Sequence, residues 1–489
     1  MRIRALISLI FALLLGHLAN ARTVYVKDYR LEKAISGDER FELIRAAHEK
    51  AVKIGAVISY KGLSRLDIEI PRGAKSIPLP FETDFASVEI VVKNTEVPNF
   101  SLFVLSHELN KVTVMKGQIS SGKYKDVPEL RRGKKILVIE DETPWVTNRK
   151  GYSYGAARRD ILYLRNGTAQ GNVVATYNNP QSSPKCYYRD VRGQKTRIRN
   201  LIFTRTSDSE QITTLFGIKN QNDVAIENIT INTPESDLYG DSAIGIQNVT
   251  NLKMSDVTIN GTYSQEKKFG YGISMNNVWN VRFTRLNADG KWGVFGTNNV
   301  NFVIIEDSDI NRFDIHCYGR DVFCYRTTFR NLYNQFSSIY GKVVFEGCEF
   351  IDFIPVLFEY SYAAYTPFDL VLRNCKIVAK GSHPYLIAAG NAVASPDGAR
   401  EELSETSWPN VTIEDVEVTL PPGQRDWMLF KLSSKPTVSV KNISYVNANG
   451  LKINGYASDG TVKFSNYTIQ TEDKISSIVT KSSINNIEF

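Results

Sequence analysis

The stretch Ile229–Ile259, ITINTPESDLYGDSAIGIQNVTNLKMSDVTI, opens and closes on one apolar-polar-apolar pattern, Ile229-Thr230-Ile231 and Val257-Thr258-Ile259. Alternation with period two places the outer pair of side chains on one face and the polar one on the other, as in a half-buried strand. Working outward, the triplet returns at Leu201-Ile202-Phe203, Leu286-Asn287-Ala288, Ser308-Asp309-Ile310, Thr327-Thr328-Phe329, Cys348-Glu349-Phe350, Cys375-Lys376-Ile377, Val416-Glu417-Val418, Ile443-Ser444-Tyr445 and Tyr467-Thr468-Ile469. From Leu201 the spacings are 28, 28, 29, 22, 19, 21, 27, 41, 27 and 24 residues. A leucine-rich repeat would keep a stricter length and a leucine framework. The pattern therefore specifies a strand-based solenoid with turns of variable length.

A second register runs ahead of the triplets: Ile244-Gly245-Ile246, Tyr271-Gly272-Ile273, Trp292-Gly293-Val294, Phe313-Asp314-Ile315, Phe336-Ser337-Ser338 and Val356-Leu357-Phe358. Two strand registers per repeat imply a coil that turns back on itself and stacks like positions of successive coils. The expected fold is all-β, a right-handed parallel β-helix solenoid. Eight Asn-x-Ser/Thr triplets occur, among them those at Asn228, Asn248, Asn442 and Asn466. They fall at strand edges and read as turn residues with stacked amides. Cys348 and Cys375 share one column, so they are expected as a reduced stack of small buried side chains.

Hydrophobic residues make up 42% and charged residues 23% of the 489, which excludes a disordered or collagen-like chain. Arg2 and Arg4 precede the apolar run Ala5–Leu15 and a small-x-small site at Ala19-Asn20-Ala21, the layout of a signal peptide cleaved near Ala21. The run is shorter than the roughly 20 residues a membrane span requires, so a periplasmic or secreted protein without a membrane span is expected. Removing those 21 residues leaves 57 Lys+Arg against 52 Asp+Glu, a surplus of +5. That is too small for a nucleic-acid binder and compatible with an acidic polysaccharide as partner. The five cysteines form no C-x-x-C pair or zinc spacing. No cofactor is expected, with Ca2+ left open, and the protein is expected to be a monomer.

The signal peptide is followed by an N-terminal cap and first coils over 22–83. A helix over Glu39–Lys53, capped by Asp38, would bring Phe41, Leu43, Ile44, Ala47 and Ala51 to one face, with strands Ala56–Ser59 and Leu66–Ile70 after it. Such a helix would cover the open end of the solenoid. Residues 84–195 read as irregular coils with an insertion around PWVTNRKGYSYGAARRD (144–160), whose Trp145, Arg149, Arg158 and Arg159 would form a groove wall; regular coils occupy 196–489. The cap helix followed by coils resembles the start of the pectate lyase and tailspike superfamily. NRFDIH at 311–316 resembles an RFD-x-H signature of bacterial secreted β-helix proteins in the pectin lyase-like superfamily, a resemblance that implies the fold and no particular activity.

The coil Asn311–Asp321, NRFDIHCYGRD, concentrates reactive side chains. With Phe313 and Ile315 inward, Arg312, Asp314, His316 and Tyr318 would all face outward on one line. Gly245, Gly272 and Gly293 would occupy the Asp314 column on earlier coils and floor a groove. Trp292, Arg320, Tyr340, Lys342, Glu359 and Tyr360 complete the expected substrate-binding set, because aromatic faces stack on sugar rings and cations pair with uronate carboxylates. The favoured reading is a secreted enzyme that cleaves a uronate-containing polysaccharide by β-elimination. Arg312 would neutralise the carboxylate, His316 would be the base, Tyr318 or Tyr340 the acid, and Asp314 an orienting group. The alternatives are a glycoside hydrolase that uses Asp314 and Glu359, two coils apart, and a non-catalytic glycan-binding or adhesion solenoid.

Overall fold

The computed structural model describes residues 22–488 apart from internal segments, the longest of which are 147–155, 234–241, 262–270, 359–367 and 390–409; beyond residue 422 it describes strand backbones without side chains. The main body is a right-handed parallel β-helix whose strands join one 28-stranded sheet. The expected triplet columns are its registers. Leu201 faces Ile229, Ile229 faces Val257 and Val257 faces Leu286, and two residues further along the file Phe203, Ile231, Ile259 and Ala288 continues through Ile310, Phe329, Phe350, Ile377 and Val418. The inward residues of each triplet join one continuous core. Parallel stacking runs on to Ile469, and Ile475–Ile478 and Asn486–Glu488 pair antiparallel with the coils before them.

The turns explain the asparagines. Asn228 and Asn248 adopt left-handed backbone conformations, with φ of 53° at both, which Asn tolerates better than other side chains. Their amides stack between coils. Asn228 Nδ2 donates to Asn200 Oδ1 at 2.9 Å, and a longer ladder runs from Asn277 to Asn248 (2.8 Å) to Asn220 (3.0 Å). Cys348 and Cys375 are free, buried thiols at neighbouring positions of the column. Replacing both with Ala is expected to cost about 1–3 kcal/mol by lost packing, while reductant leaves the urea midpoint of the unaltered protein unmoved. A reductant-sensitive midpoint would contradict this.

At the N-terminal end the helix α1, Gly37–Ile54, lays Phe41, Ile44, Ala47 and Ala51 against the first coils, with Leu43 partly buried beside them. Its cap is Ser36 rather than Asp38. The Ser36 side chain accepts from the Glu39 N–H, and Asp38 instead hydrogen-bonds the Ser36 hydroxyl. Strands Val57–Ser59 and Arg65–Ile70 follow. His48 lies fully buried on the inner side of α1, with Nδ1 on the Pro78 carbonyl at 3.0 Å and Nε2 on the Tyr60 hydroxyl at 2.8 Å. Burial pushes its pKa down to about 3. The unfolded chain takes up a proton near pH 6.5 that the folded cap refuses, so stability is full above that pH and declines as pH falls from 6.5 towards 3. At pH 4.5 the loss should be on the order of 2–3 kcal/mol. Amide exchange in α1 at pH 7 and 4.5 checks it, and His48→Leu should flatten the dependence.

Residues 84–195 divide between two structures. Glu82–Thr95 and Phe100–Ser106 are regular coil strands, paired in parallel with Thr196–Arg205 and Thr213–Asn232. Residues 110–190 build a separate five-stranded antiparallel sheet from Asn110–Val112, Lys134–Val146, Ala156–Arg165, Thr168–Ala169 and Lys185–Asp190, with its own core. The backbone of Ala156–Arg165 docks on the solenoid. Asn299 and Asn277, the last steps of the long amide ladder, donate to the carbonyls of Arg159 and Asp160. Within this insert Arg158 is buried and Arg159 half-buried, while the side chains of Trp145 and Arg149 lie outside the described residues. Asp160 is enclosed, accepting from Val174 N, Ala175 N and the Tyr177 hydroxyl, and burial pushes its carboxyl up to about 7.

Candidate functional site

The coil strand Phe313–Tyr325 carries the cluster that the sequence singles out. Phe313 and Ile315 point into the core and are fully buried, as alternation requires. Arg312 and Asp314 point away from that core but are not exposed: their side chains are 1% and 0% accessible. Arg312 Nε donates to Asp314 Oδ1 at 2.6 Å and Nη2 to Gln335 Oε1 at 2.5 Å, and the guanidinium lies 4.5 Å from the Tyr333 ring centroid. Burial opposes the charge on Arg312, but Asp314 together with the nearby Tyr333 and Tyr271 outweighs it, holding the guanidinium above its ordinary pKa. The expectation of an exposed Arg312 that clamps a substrate carboxylate is therefore corrected. Its donors turn inward because the next coil covers them with Gln335 and Tyr333.

His316 is the partly open member of the group, 15% accessible. Its Nε2 lies 3.2 Å from Asp314 Oδ2 and 2.9 Å from the Tyr271 hydroxyl. The ladder with the preceding coil slips here: Thr297 pairs with Ile315, but Asn298 pairs with Cys317. His316 is thus the extra residue of a β-bulge, a device that re-aims a side chain next to functional sites. Tyr271 reaches it from two coils before by crossing Gly296 on the coil between, where a Cβ would lie 2.4 Å from the tyrosine ring. Sequence reading missed Tyr271 as a chemical partner because it assigned that residue to an inward flank of Gly272.

Tyr318 is a correction of the same kind. The bulge places it opposite Asn299, in the file of the long amide ladder, where it is 1% accessible and packs in the core of the insert. Its hydroxyl donates to the Arg159 carbonyl at 2.5 Å and accepts from the Arg159 N–H, so it fastens the insert and does not face a substrate.

The glycine column is real but differently populated. The Asp314 file reads Gly217, Gly245, Ser274, Gly296, Asp314, Gln335 and Leu357. Gly245 holds its expected place; Gly272 stands two residues before the file, and Gly293 and Trp292 lie outside the described residues, as do Glu359 and Tyr360. A slip of two residues keeps every side chain on its face, so the alternation alone does not reveal it. Arg320 and Tyr340 face one another on adjacent coils, Tyr340 partly buried against the insert, and Lys342 is exposed. Among the described residues no three His, Cys, Asp or Glu side chains gather as metal ligands, and no helix is long and apolar enough to cross a membrane.

No family model and no curated protein sequence matches the chain. Solved structures do. The tailspike protein gp49 from Pseudomonas phage LKA1 is similar over 91% of this chain and 80% of its own, with 12% identity and a TM-score of 0.54. The chain shares that protein's fold. Weaker likenesses are to PfbA, a surface adhesin of Streptococcus pneumoniae (TM-score 0.41, 11% identity, 96% of this chain and 98% of that one), and to a hyperthermoactive exopolygalacturonase from Thermotoga maritima (0.40, 10%, 96% and 95%).

Proposed function

We propose that this is a secreted carbohydrate-active protein that cleaves a uronate-containing polysaccharide by β-elimination, with His316 as base and Tyr271 as acid. The supporting observation is the 2.9 Å contact between His316 Nε2 and the Tyr271 hydroxyl at the one partly open point of an otherwise buried Arg312–Asp314 pair. In the reaction the imidazole takes the proton from the carbon bearing the carboxylate. The electrons of that C–H bond form a C=C bond, the glycosidic C–O bond breaks, and the phenol protonates the leaving oxygen. Asp314 orients the imidazole, and Arg312 acts through Asp314 as a positioning residue. Neutralisation of the uronate falls to cations outside the pair, for which Arg320 and Lys342 are the candidates.

A hydrolase through Asp314 is disfavoured, since a fully enclosed carboxylate paired with Arg312 does not reach a sugar. A non-catalytic glycan-binding role keeps one observation in its favour, the mutual engagement of Arg312, Asp314 and Gln335. Incubation with polygalacturonate, alginate and hyaluronate separates the readings. β-Elimination yields an unsaturated, ultraviolet-absorbing product without consuming water; saccharide binding with no product from any of them would leave the binding role.

A further inference from the structure

The turn file one step beyond the amide ladder reads Asn251, Asn280, Phe302 and Asp321, and all four residues are left-handed, with φ between 55° and 59°. Asn and Asp bear this conformation at little cost, whereas a bulky aromatic side chain in it is an outlier. Phe302 is the only aromatic residue so placed among the described residues. Three arginines elsewhere, Arg30, Arg285 and Arg326, also adopt it, and two of them have a return: each chelates an aspartate with two hydrogen bonds, Arg285 on Asp256 and Arg326 on Asp307. Phe302 has no polar return. It stands half-buried, edge-on to Trp279 with ring centroids 6.1 Å apart.

Strain held at one position with no hydrogen bond in return points to use of that side chain. Cations bracket the two rings. The file of Trp279 continues through buried Asn301 to half-buried Arg320, the cation also offered to the His316 site, and the outward file on the other side of Phe302 carries exposed Lys253 and Arg282 in register. Aromatic faces with flanking cations match a chain of sugar rings that bears carboxylates. We infer that Trp279 and Phe302 form a second saccharide platform, distinct from the His316 site, that holds an acidic polysaccharide by ring stacking. The ligand class rests on the reading given under Proposed function.

The test is Phe302→Asn in the full chain, which gives position 302 the residue of the two coils before it. Binding of polygalacturonate, alginate and hyaluronate is measured in a His316→Ala background, so that no ligand is consumed, together with the melting temperature. A three- to tenfold loss of affinity, about what one stacking contact provides, with a melting temperature equal or higher, is the expected result. Unchanged affinity for a glycan that the unaltered protein cleaves overturns the platform and leaves the His316 reading standing. A lowered melting temperature also overturns it, by giving the ring a structural role. Weakened binding of a glycan that is never cleaved supports the platform and overturns β-elimination. No binding of any of the three glycans overturns both.

Discussion

His316→Ala lowers the rate of polysaccharide cleavage by about 10² to 10⁴, the contribution of a positioned general base, while leaving the melting temperature within a degree or two. The combination follows from position. The imidazole is the partly open end of a buried network, and its loss removes a chemical group without opening the core. Tyr271→Phe should cost a comparable factor if the hydroxyl is the acid, because the ring that crosses Gly296 is retained and only the oxygen 2.9 Å from Nε2 goes. Product formation is followed by ultraviolet absorbance on whichever polysaccharide proves active. Full turnover by His316→Ala would falsify its role as base.

Arg312→Ala and Asp314→Ala are each expected to destabilise the protein by about 3–5 kcal/mol, since each leaves the opposite charge buried without its partner. This departs from the outward placement expected from sequence, since replacement at an ordinary surface position costs no more than about 0.5 kcal/mol. Urea unfolding of the single variants measures the effect. The paired variant Arg312→Met/Asp314→Leu should recover much of the loss, as replacing a whole buried ion pair by apolar groups of similar volume is often near neutral. Single variants within about 0.5 kcal/mol of the parent would show that water reaches the pair.

Legibility of the fold and of the site differed for physical reasons. Period-two alternation is a local property of the chain, and the triplet columns from Leu201 to Ile469 are the observed registers. The cluster at Arg312, Asp314 and His316 was legible as a set of residue types on one face. Its burial was not, because what covers Arg312 is Gln335 and Tyr333 from the next coil, and what covers Tyr318 is the backbone of Arg159, more than a hundred positions earlier. The bulge hid Tyr318 in a further way, since strict alternation counts it outward beside His316. The five-stranded insert lacked a repeat to betray it, and its antiparallel pairing follows contacts distant in sequence.

The bulge at His316 also has a meaning for how such a site arises. Between Thr297 and Val300 the preceding coil has two residues, and between their partners Ile315 and Gly319 this coil has three. An in-frame gain of one codon therefore separates an ordinary rung of the stack from one that turns an imidazole towards Tyr271. On the ladder with the preceding coil the registers on both sides of the slip are regular, while the following coil has an extra residue of its own between Tyr340 and Val343. In a solenoid whose coils already differ in length, new chemistry is within reach of a mutation that a closed, non-repeating fold would seldom survive.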